Sequence, residues 1–247
     1  MGFVKKYIDG RLPHLIGYVP SPVRKGIVKT HAGPGDNHYD EADDRRVVRN
    51  TGSKGAWSWM GWSLLGFCVF FISGGYSLTQ LLIIIFPALG LLWLGRYTPE
   101  KYIVLDRTTG HITYPDWLFK PPHTVPIEEV TAFWVGTGGA SGSLGQELST
   151  NPPGSKRIIN LRMHPGAFDK SWSFILWYLD RNRPLPPGEA FDEYRARDFA
   201  RRKSEGFPPP LFPSRFPTPE ATPEQNAERR RYWCDEDYYG ASDTAWY

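Results

Sequence analysis

Residues 55–95 read GAWSWMGWSLLGFCVFFISGGYSLTQLLIIIFPALGLLWLG, and none of these 41 residues is Asp, Glu, Lys, Arg or His. One straight helix of this length would reach about 60 Å, roughly twice the hydrocarbon thickness of a bilayer. The middle of the stretch, residues 73–77, has the composition of a turn. We therefore predict a transmembrane hairpin of two helices, Ala56–Ile72 and Leu78–Leu94. A hairpin buried in a soluble core fits less well, because the rest of the chain is too polar to cover two such helices.

Tryptophan and tyrosine residues mark the open end of this predicted hairpin. Trp57, Trp59 and Trp62 begin its first helix, and Trp93 and Tyr97 end its second. A hairpin places both groups at one membrane interface, where these residue types are enriched. Because neither helix contains a charged residue, we expect no ion pathway, proton relay or transport site in the hairpin.

Basic residues on both sides of the apolar stretch indicate its orientation, whereas the turn between the helices carries no charge. The residues are Arg45, Arg46, Arg49 and Lys54 before the stretch, and Arg96, Lys101 and Arg107 after it. Positive charge is retained on the cytoplasmic side of a membrane. Both termini are therefore predicted to be cytoplasmic.

The apolar stretch divides the chain into four predicted parts: an N-terminal segment (1–54), the hairpin (55–95), a β-rich module (96–183) and a proline-rich tail (184–247). Within the module, residues 101–107 and 111–115 alternate in polarity around a Thr-Thr-Gly turn, which predicts a β-hairpin. Further strands are predicted at 125–135 and 157–164. The apolar residues at 172, 175, 176 and 179 then predict a helix, so the module belongs to the α+β class.

The tail contains two helix signals between its prolines. The first covers residues 189–203, where Glu193 with Arg197 and Asp198 with Arg202 are spaced as favourable i,i+4 pairs. The second begins at Thr222-Pro223, with an N-cap residue followed by proline at the first helical position. The sequence leaves two alternatives open, a docking segment for a partner or for the module, and a loosely ordered tail.

Two motifs in the module resemble those of known proteins. Residues 105–112 (LDRTTGHI), followed by 125–130 (VPIEEV), resemble bacterial membrane-anchored domains of the pleckstrin-homology-like type. Residues 177–186 (WYLDRNRPLP) are similar to the end of an uncharacterised proteobacterial family with two transmembrane helices, often associated with type VI secretion effector loci. The resemblance covers residues 45–190 and implies a pleckstrin-homology-like fold in a bacterial inner membrane. It implies no catalytic residues, and the long tail after Gly188 departs from it.

No motif for catalysis, metal binding or nucleic-acid binding stands out. The glycine-rich residues 136–142 lack both the Gly-Lys-Ser/Thr ending of a phosphate-binding loop and the third glycine of a dinucleotide site. The two cysteines, Cys68 and Cys234, exclude a disulfide framework and a cysteine-rich zinc site. The net charge is only +3, and the basic residues are interleaved with acidic ones, unlike a nucleic-acid interface. We predict no enzyme, no cofactor and no metal.

The leading hypothesis is a non-enzymatic inner-membrane protein that binds a protein partner through its cytoplasmic module and tail. The resemblance implies that it acts as a type VI secretion immunity or accessory protein. The alternative is a lipid-sensing module whose basic residues contact anionic head groups, each contributing about 1 kcal/mol. The candidate head-group contacts are Arg45, Arg46, Arg49, Lys54, Arg96, Lys101 and Lys120.

Two less favoured sites complete the sequence hypotheses. A metal site could be formed by His31, Asp36 and His38, although this segment also has the composition of a solvated linker. A membrane enzyme could use Asp106, His111 or His164, but no spacing ties any two of these residues together.

Overall fold

The computed structural model describes residues 6–25, 28, 39–52, 54–74, 77–138, 144–151, 159–161 and 168–239. The helices are α1 (Lys54–Ser73), α2 (Leu78–Tyr97), α3 (Phe168–Leu179), α4 (Asp192–Ser204) and α5 (Pro223–Arg229). The strands are β1 (Lys6–Arg11), β2 (Glu41–Ala42), β3 (Arg46–Asn50), β4 (Tyr102–Asp106), β5 (His111–Tyr114), β6 (His123–Pro126), β7 (Ala132–Gly138), β8 (Leu144–Thr150) and β9 (Ile159–Asn160). The described strands form two antiparallel sheets, in agreement with the predicted α+β class.

The helical pair is inserted between two neighbouring strands of one sheet. The five-stranded sheet has the order β2-β3-β4-β5-β6, and β3 pairs with β4 from Arg46 opposite Asp106 to Asn50 opposite Tyr102. The connection between these two strands is α1 followed by α2. The prediction treated residues 1–54 as a segment separate from the module, but strands from that segment pair with strands that follow the helices. Sequence patterning misses this pairing because β3 and β4 are separated by about 50 residues.

The second sheet has the order β1-β7-β8-β9 and also joins the N-terminal segment to the module. In it, Ile8 of β1 lies opposite Val135 of β7. The predicted strand at 157–164 is represented by β9, and the rest of that prediction, apart from Leu161, lies outside the described residues. Both sheets supply buried residues to one hydrophobic core, for example Leu105 and Ile112 from the first sheet and Ala132 and Leu148 from the second.

Helix α3 completes this core. The predicted apolar face is present, but the structure buries the whole span from Ser171 to Leu179 rather than one stripe. Both of its tryptophans donate hydrogen bonds to loop carbonyls. The indole N–H of Trp172 donates to the Pro13 carbonyl, and that of Trp177 donates to the Pro184 carbonyl. The N-terminal segment and the first residue of the tail therefore both contact α3.

The predicted β4–β5 hairpin is confirmed, and its turn shows why the sequence reads Asp-Arg-Thr-Thr-Gly. A carboxylate oxygen of Asp106 accepts the N–H groups of Thr108 and Thr109 at 2.8 and 3.2 Å. Gly110 has φ +71°, a conformation in which a side chain would be strained.

Helices α1 and α2 pack closely through small residues. A Cβ added at Gly61 would lie 3.0 Å from the Ala88 carbonyl oxygen, and one added at Gly95 would lie 2.8 Å from the Ser58 amide nitrogen. Small residues let helix backbones approach in this way. The predicted helices are confirmed as helices, each slightly longer than predicted. Among the described residues, only Thr79–Tyr97 is long and apolar enough to qualify as a membrane span, and 11% of that window is buried.

The tail is packed onto the module in the part of it that the structure describes. Both predicted helices are present as α4 and α5, and the Thr222 hydroxyl accepts the Gln225 N–H as an N-cap. The Asp198–Arg202 pair is confirmed at 2.9 Å. The predicted pairing of Glu193 with Arg197 is replaced by an ion pair between Arg197 and Asp44 of the β2–β3 turn.

Candidate functional site

The two ends of the five-stranded sheet differ in what they contact. Helix α1 begins and helix α2 ends beside the Asn50–Tyr102 pair, so we call this the helix-proximal edge. Because Tyr114 pairs with His123, the β5–β6 loop, residues 115–122, lies at the same edge. The opposite end, which we call the helix-distal end, carries the β2–β3 turn (residues 43–45) and the β4–β5 turn (residues 107–110).

The structure separates the seven predicted head-group residues into two groups. Four lie at the helix-proximal edge: Lys54 at the start of α1, Arg96 at the end of α2, Lys101 before β4, and Lys120 in the β5–β6 loop. Arg49 lies one residue from that edge on β3.

Arg45 and Arg46 belong to the helix-distal end. Arg46 is four residues from Asn50, or about 13 Å along the strand, and its guanidinium pairs with Glu41 at 2.8 Å. The sequence grouped them with the others because they are close in number, whereas β3 runs towards α1 and places Arg46 at its far end.

Arg107, counted as a flanking charge in the orientation argument, is also not a surface residue. Its side chain is 2% exposed, and it donates hydrogen bonds to the carbonyls of Tyr178 and Arg183.

Aromatic side chains accompany the basic residues at the helix-proximal edge. The Trp93 ring lies 5.4 Å from the Tyr97 ring and 5.7 Å from the Phe119 ring, measured between centroids. The Arg96 guanidinium lies 6.0 Å from the Tyr97 ring centroid. Trp93, Tyr97, Trp117 and Phe119 are each more than half exposed. Exposed rings beside ammonium and guanidinium groups are the combination that binds the head-group region of a bilayer.

Sequence reasoning named Trp93 and Tyr97 but missed Trp117 and Phe119. The signal was present, because residues 115–122 read PDWLFKPP, which places three large apolar residues in a loop bounded by prolines. Loops normally carry Gly, Asn, Asp or Ser at such positions.

The acidic groups near this edge are already engaged. Glu100 accepts a hydrogen bond from the Tyr102 hydroxyl, which raises the pKa of Tyr102 to about 12. The carboxylate of Asp116 accepts the Trp117 N–H at 2.6 Å, and this bond holds the pKa of Asp116 below its usual value. These two carboxylates are outnumbered by the four basic residues at this edge, Lys54, Arg96, Lys101 and Lys120.

The helix-distal end is occupied by a buried network of eight charged side chains. It contains four arginines and four carboxylates, and each of these residues is at most 7% exposed. The ion pairs run in one continuous chain, Arg107–Asp198–Arg202–Glu220–Arg229–Asp235–Arg183–Asp180. We call this chain the arginine–carboxylate network.

Its geometry satisfies most of the buried charge. Arg202 forms a two-pronged contact with Glu220, with both N–O distances 2.7 Å. Arg183 adds hydrogen bonds to the Thr218 hydroxyl and the Phe212 carbonyl, and the Asp180 carboxylate accepts the N–H groups of Leu211 and Phe212. Paired and hydrogen-bonded charges of this kind are the form in which charge is tolerated in an interior.

The pKa of Asp198 shows that the network holds this group ionised. Burial alone raises the pKa of this carboxyl, but Arg107, Arg202 and Arg201 together bring it below the usual value. The network links Arg107, which follows β4, and Asp180 and Arg183, which follow α3, to charged residues of the tail, so it fastens the tail to the module. Sequence spacing predicted one link of it, Asp198–Arg202. It missed Asp180–Arg183, which are three residues apart just after α3, and the links between residues 18 to 91 positions apart.

The residues suggested for catalysis and metal binding do not form a site in the described part of the chain. Asp106 and His111 are paired across β4 and β5, but Asp106 supports the turn and His111 Nδ1 lies 2.9 Å from the Thr109 carbonyl oxygen. His31, Asp36, His38 and His164 lie outside the described residues. The described residues contain no group of three or more His, Cys, Asp or Glu side chains that could hold a metal ion.

Comparisons of the chain with family models, with curated proteins and with solved structures found no match.

Proposed function

We propose that this chain is a non-enzymatic membrane protein in which α1 and α2 cross a bacterial inner membrane as a hairpin. The two sheets and α3 would form a pleckstrin-homology-like module on the cytoplasmic side. The observation that carries the proposal is the position of the helical pair, which leaves one edge of a sheet and exposes its apolar side chains. Phe86 and Ile83 of α2 are 70% and 69% exposed, which is costly in water and favourable in lipid.

A second span is supported by the packing and surface of α1. This helix has the same length as α2, contacts it through Gly61 and Ser58, and carries a single charged residue, Lys54, at its first position. Trp59, Trp62 and Val69 on its outer face are each at least 66% exposed. A helix paired with a membrane span and apolar on its outer face is best explained as a second span.

The helix-distal end supports the binding of a soluble protein partner. The arginine–carboxylate network fixes the tail there, away from the helices. The tail leaves Leu211, Tyr232 and Tyr239 exposed at 48%, 59% and 40%. Aromatic side chains on a rigid support are typical centres of protein interfaces. The resemblance to a family near type VI secretion loci makes an effector the favoured partner, with this chain as immunity or accessory protein.

Partner binding is tested by purifying the full chain in detergent from its native cell. We expect a protein to co-purify in a fixed ratio, and to be lost with Leu211→Ser, Tyr232→Ser and Tyr239→Ser combined. Tyr18→Ser is the matched control, since Tyr18 is 48% exposed but lies outside the tail. Repeated recovery of the chain alone would contradict the proposal.

The alternative function, sensing of anionic lipid head groups, is favoured by the clustering of Lys101, Lys120 and Arg96 at one edge. A segment starting at residue 96 is unsuitable for its test, because it lacks β1, β2 and β3. The full chain in nanodiscs of mixed lipid should instead show a preference for anionic over neutral lipid. The absence of any such preference would remove this alternative.

A further inference from the structure

The β5–β6 loop has a defined shape. Within residues 115–122, the Lys120 N–H donates to the Trp117 carbonyl at 2.9 Å, closing a tight turn. Leu118 in this turn has φ +40°, a strained conformation for a residue with a branched side chain. At the base of the loop, the Asp116 carboxylate lies 3.2 Å from His123 Nε2. The turn is therefore closed by one backbone hydrogen bond and joined across its base by the Asp116–His123 contact.

The side chains that this turn presents are unlike those of a solvent-exposed hairpin. Trp117 and Phe119 are 54% and 51% exposed, and Lys120 follows them. Proline residues at 115, 121 and 122 have no N–H to donate, so no backbone donor at these positions needs water. Both the strained backbone at Leu118 and the exposure of two aromatic rings to water raise the free energy of this turn.

The loop is also continuous with the surface of the helical pair. Phe119 contacts Trp93 at 5.7 Å between ring centroids, and Trp93 lies one turn before Tyr97 on α2. Trp93 and Tyr97 occupy the end of the window that qualifies as a membrane span. Phe119 is therefore at the depth of the interfacial aromatic residues, if α2 crosses a bilayer.

We propose that the turn at residues 116–120 inserts its aromatic side chains into the head-group region of the same leaflet, as a second membrane contact of the module. This inference rests on the proposed membrane function and deepens it. The occupant is the bilayer interface, because the Phe119 ring adjoins Trp93 of α2 and because Lys120 follows Phe119, with the Lys101 ammonium 3.5 Å from the Lys120 carbonyl oxygen. Contact at two points, the helices and the loop, would fix the angle between the sheet and the membrane.

The test measures the depth of fluorescent labels in the full chain. Trp117→Cys and Phe119→Cys are each labelled with an environment-sensitive fluorophore, in a background where Cys68 and Cys234 are replaced by Ala and Ser. Both positions are half exposed, so labelling leaves the core intact. The protein is placed in vesicles of phosphatidylcholine and phosphatidylglycerol that carry a nitroxide near the head groups. We expect both labels to shift to shorter wavelength and to lose most of their emission.

Two controls separate this inference from the proposed function. A label at Thr109→Cys, in the exposed turn at the helix-distal end, should keep its emission. A label at Ile83→Cys on the outer face of α2 should be quenched by a nitroxide deep in the acyl chains.

One outcome is that the label at Ile83 is quenched while the labels at 117 and 119 keep their emission, as the label at 109 does. This outcome would overturn the loop inference and leave the proposed span intact. Quenching at 117 and 119 without quenching at Ile83 would support surface contact and contradict the spanning helix. Labels at 117 and 119 that are shielded from water only when a protein co-purifies would assign the loop to a protein partner and overturn the inference.

Discussion

The helix-proximal edge and the helix-distal end belong to the same five-stranded sheet, yet they are built in opposite ways. At the distal end, eight charged side chains are buried and paired, and the tail closes over them. At the proximal edge, four aromatic side chains are more than half exposed, Lys120 is exposed, and the Lys101 ammonium donates to the Lys120 carbonyl. The difference is that the tail covers one end of the sheet, whereas the other end leaves aromatic side chains and Lys120 exposed.

The largest effect is expected from breaking the arginine–carboxylate network. Arg202→Gln removes the cation between Asp198 and Glu220 and leaves both carboxylates buried. We expect the free energy of unfolding to fall by about 3–5 kcal/mol, as for other broken buried pairs. Denaturant unfolding in detergent, followed through tryptophan fluorescence, measures this change.

Arg201→Gln is the matched control, because Arg201 is on the same helix but its side chain is 34% exposed. We expect it to cost about 1 kcal/mol or less. Equal losses for the two variants would show that burial of the network does not determine its contribution.

The next largest effect is expected in the contact between α1 and α2. Gly95→Leu places a side chain where a Cβ already lies 2.8 Å from the Ser58 amide nitrogen, so the helices must separate. We expect a loss of about 1–3 kcal/mol, seen as a lower melting temperature in detergent. Gly90→Leu is the control, since nothing lies within 4 Å of a Cβ at Gly90. A Gly90 variant as unstable as the Gly95 variant would contradict the close packing.

The features that the sequence predicts are those formed between residues close together in the chain. The helices, the β4–β5 turn and the N-cap at Thr222 follow from local patterns: uncharged length, Asp with Gly at fixed spacing, and Thr before Pro. The pairing of β3 with β4 and the link from Arg202 to Glu220 join residues 18 or more positions apart, and no local pattern encodes them. The sequence analysis grouped the basic residues because they are close in number, whereas their positions along β3 decide which of them lie near the helices.

A smaller effect is expected when the pH is lowered. The folded-state pKa of Asp198 lies below its ordinary value because of Arg107, Arg202 and Arg201. Ionised Asp198 therefore stabilises the fold above its unfolded-state pKa, and this contribution is lost as the pH falls through the lower folded-state pKa. Arg201→Gln removes one of these cations, so its acid-unfolding midpoint should lie at higher pH than that of the parent protein.

The matched control for this acid titration is Glu205→Gln. Glu205 pairs with Arg201 at 2.9 Å but is not part of the network, so this variant keeps the cation beside Asp198. We expect it to unfold at the parental pH. A midpoint for the Arg201 variant that is unchanged, or shifted to lower pH, would contradict the assigned cause.

The smallest effect is expected from single basic residues at the two ends. Lys120→Gln should weaken the interaction with anionic lipid by about 1 kcal/mol, measured as a lower preference for anionic over neutral lipid in mixed nanodiscs. Arg46→Gln should leave this preference unchanged, because Arg46 lies at the helix-distal end and pairs with Glu41. Equal effects of the two variants would contradict the distinction between the ends.

The topology of the helical pair tests the central claim most directly. Reporter fusions at Ser73, where α1 ends, and at Tyr247, the last residue of the chain, report on which side of the membrane each point lies. The account predicts opposite sides, with Tyr247 in the cytoplasm and Ser73 across the membrane. Reporters on the same side would contradict the two-span hairpin and, with it, the assignment of the helix-proximal edge to the membrane.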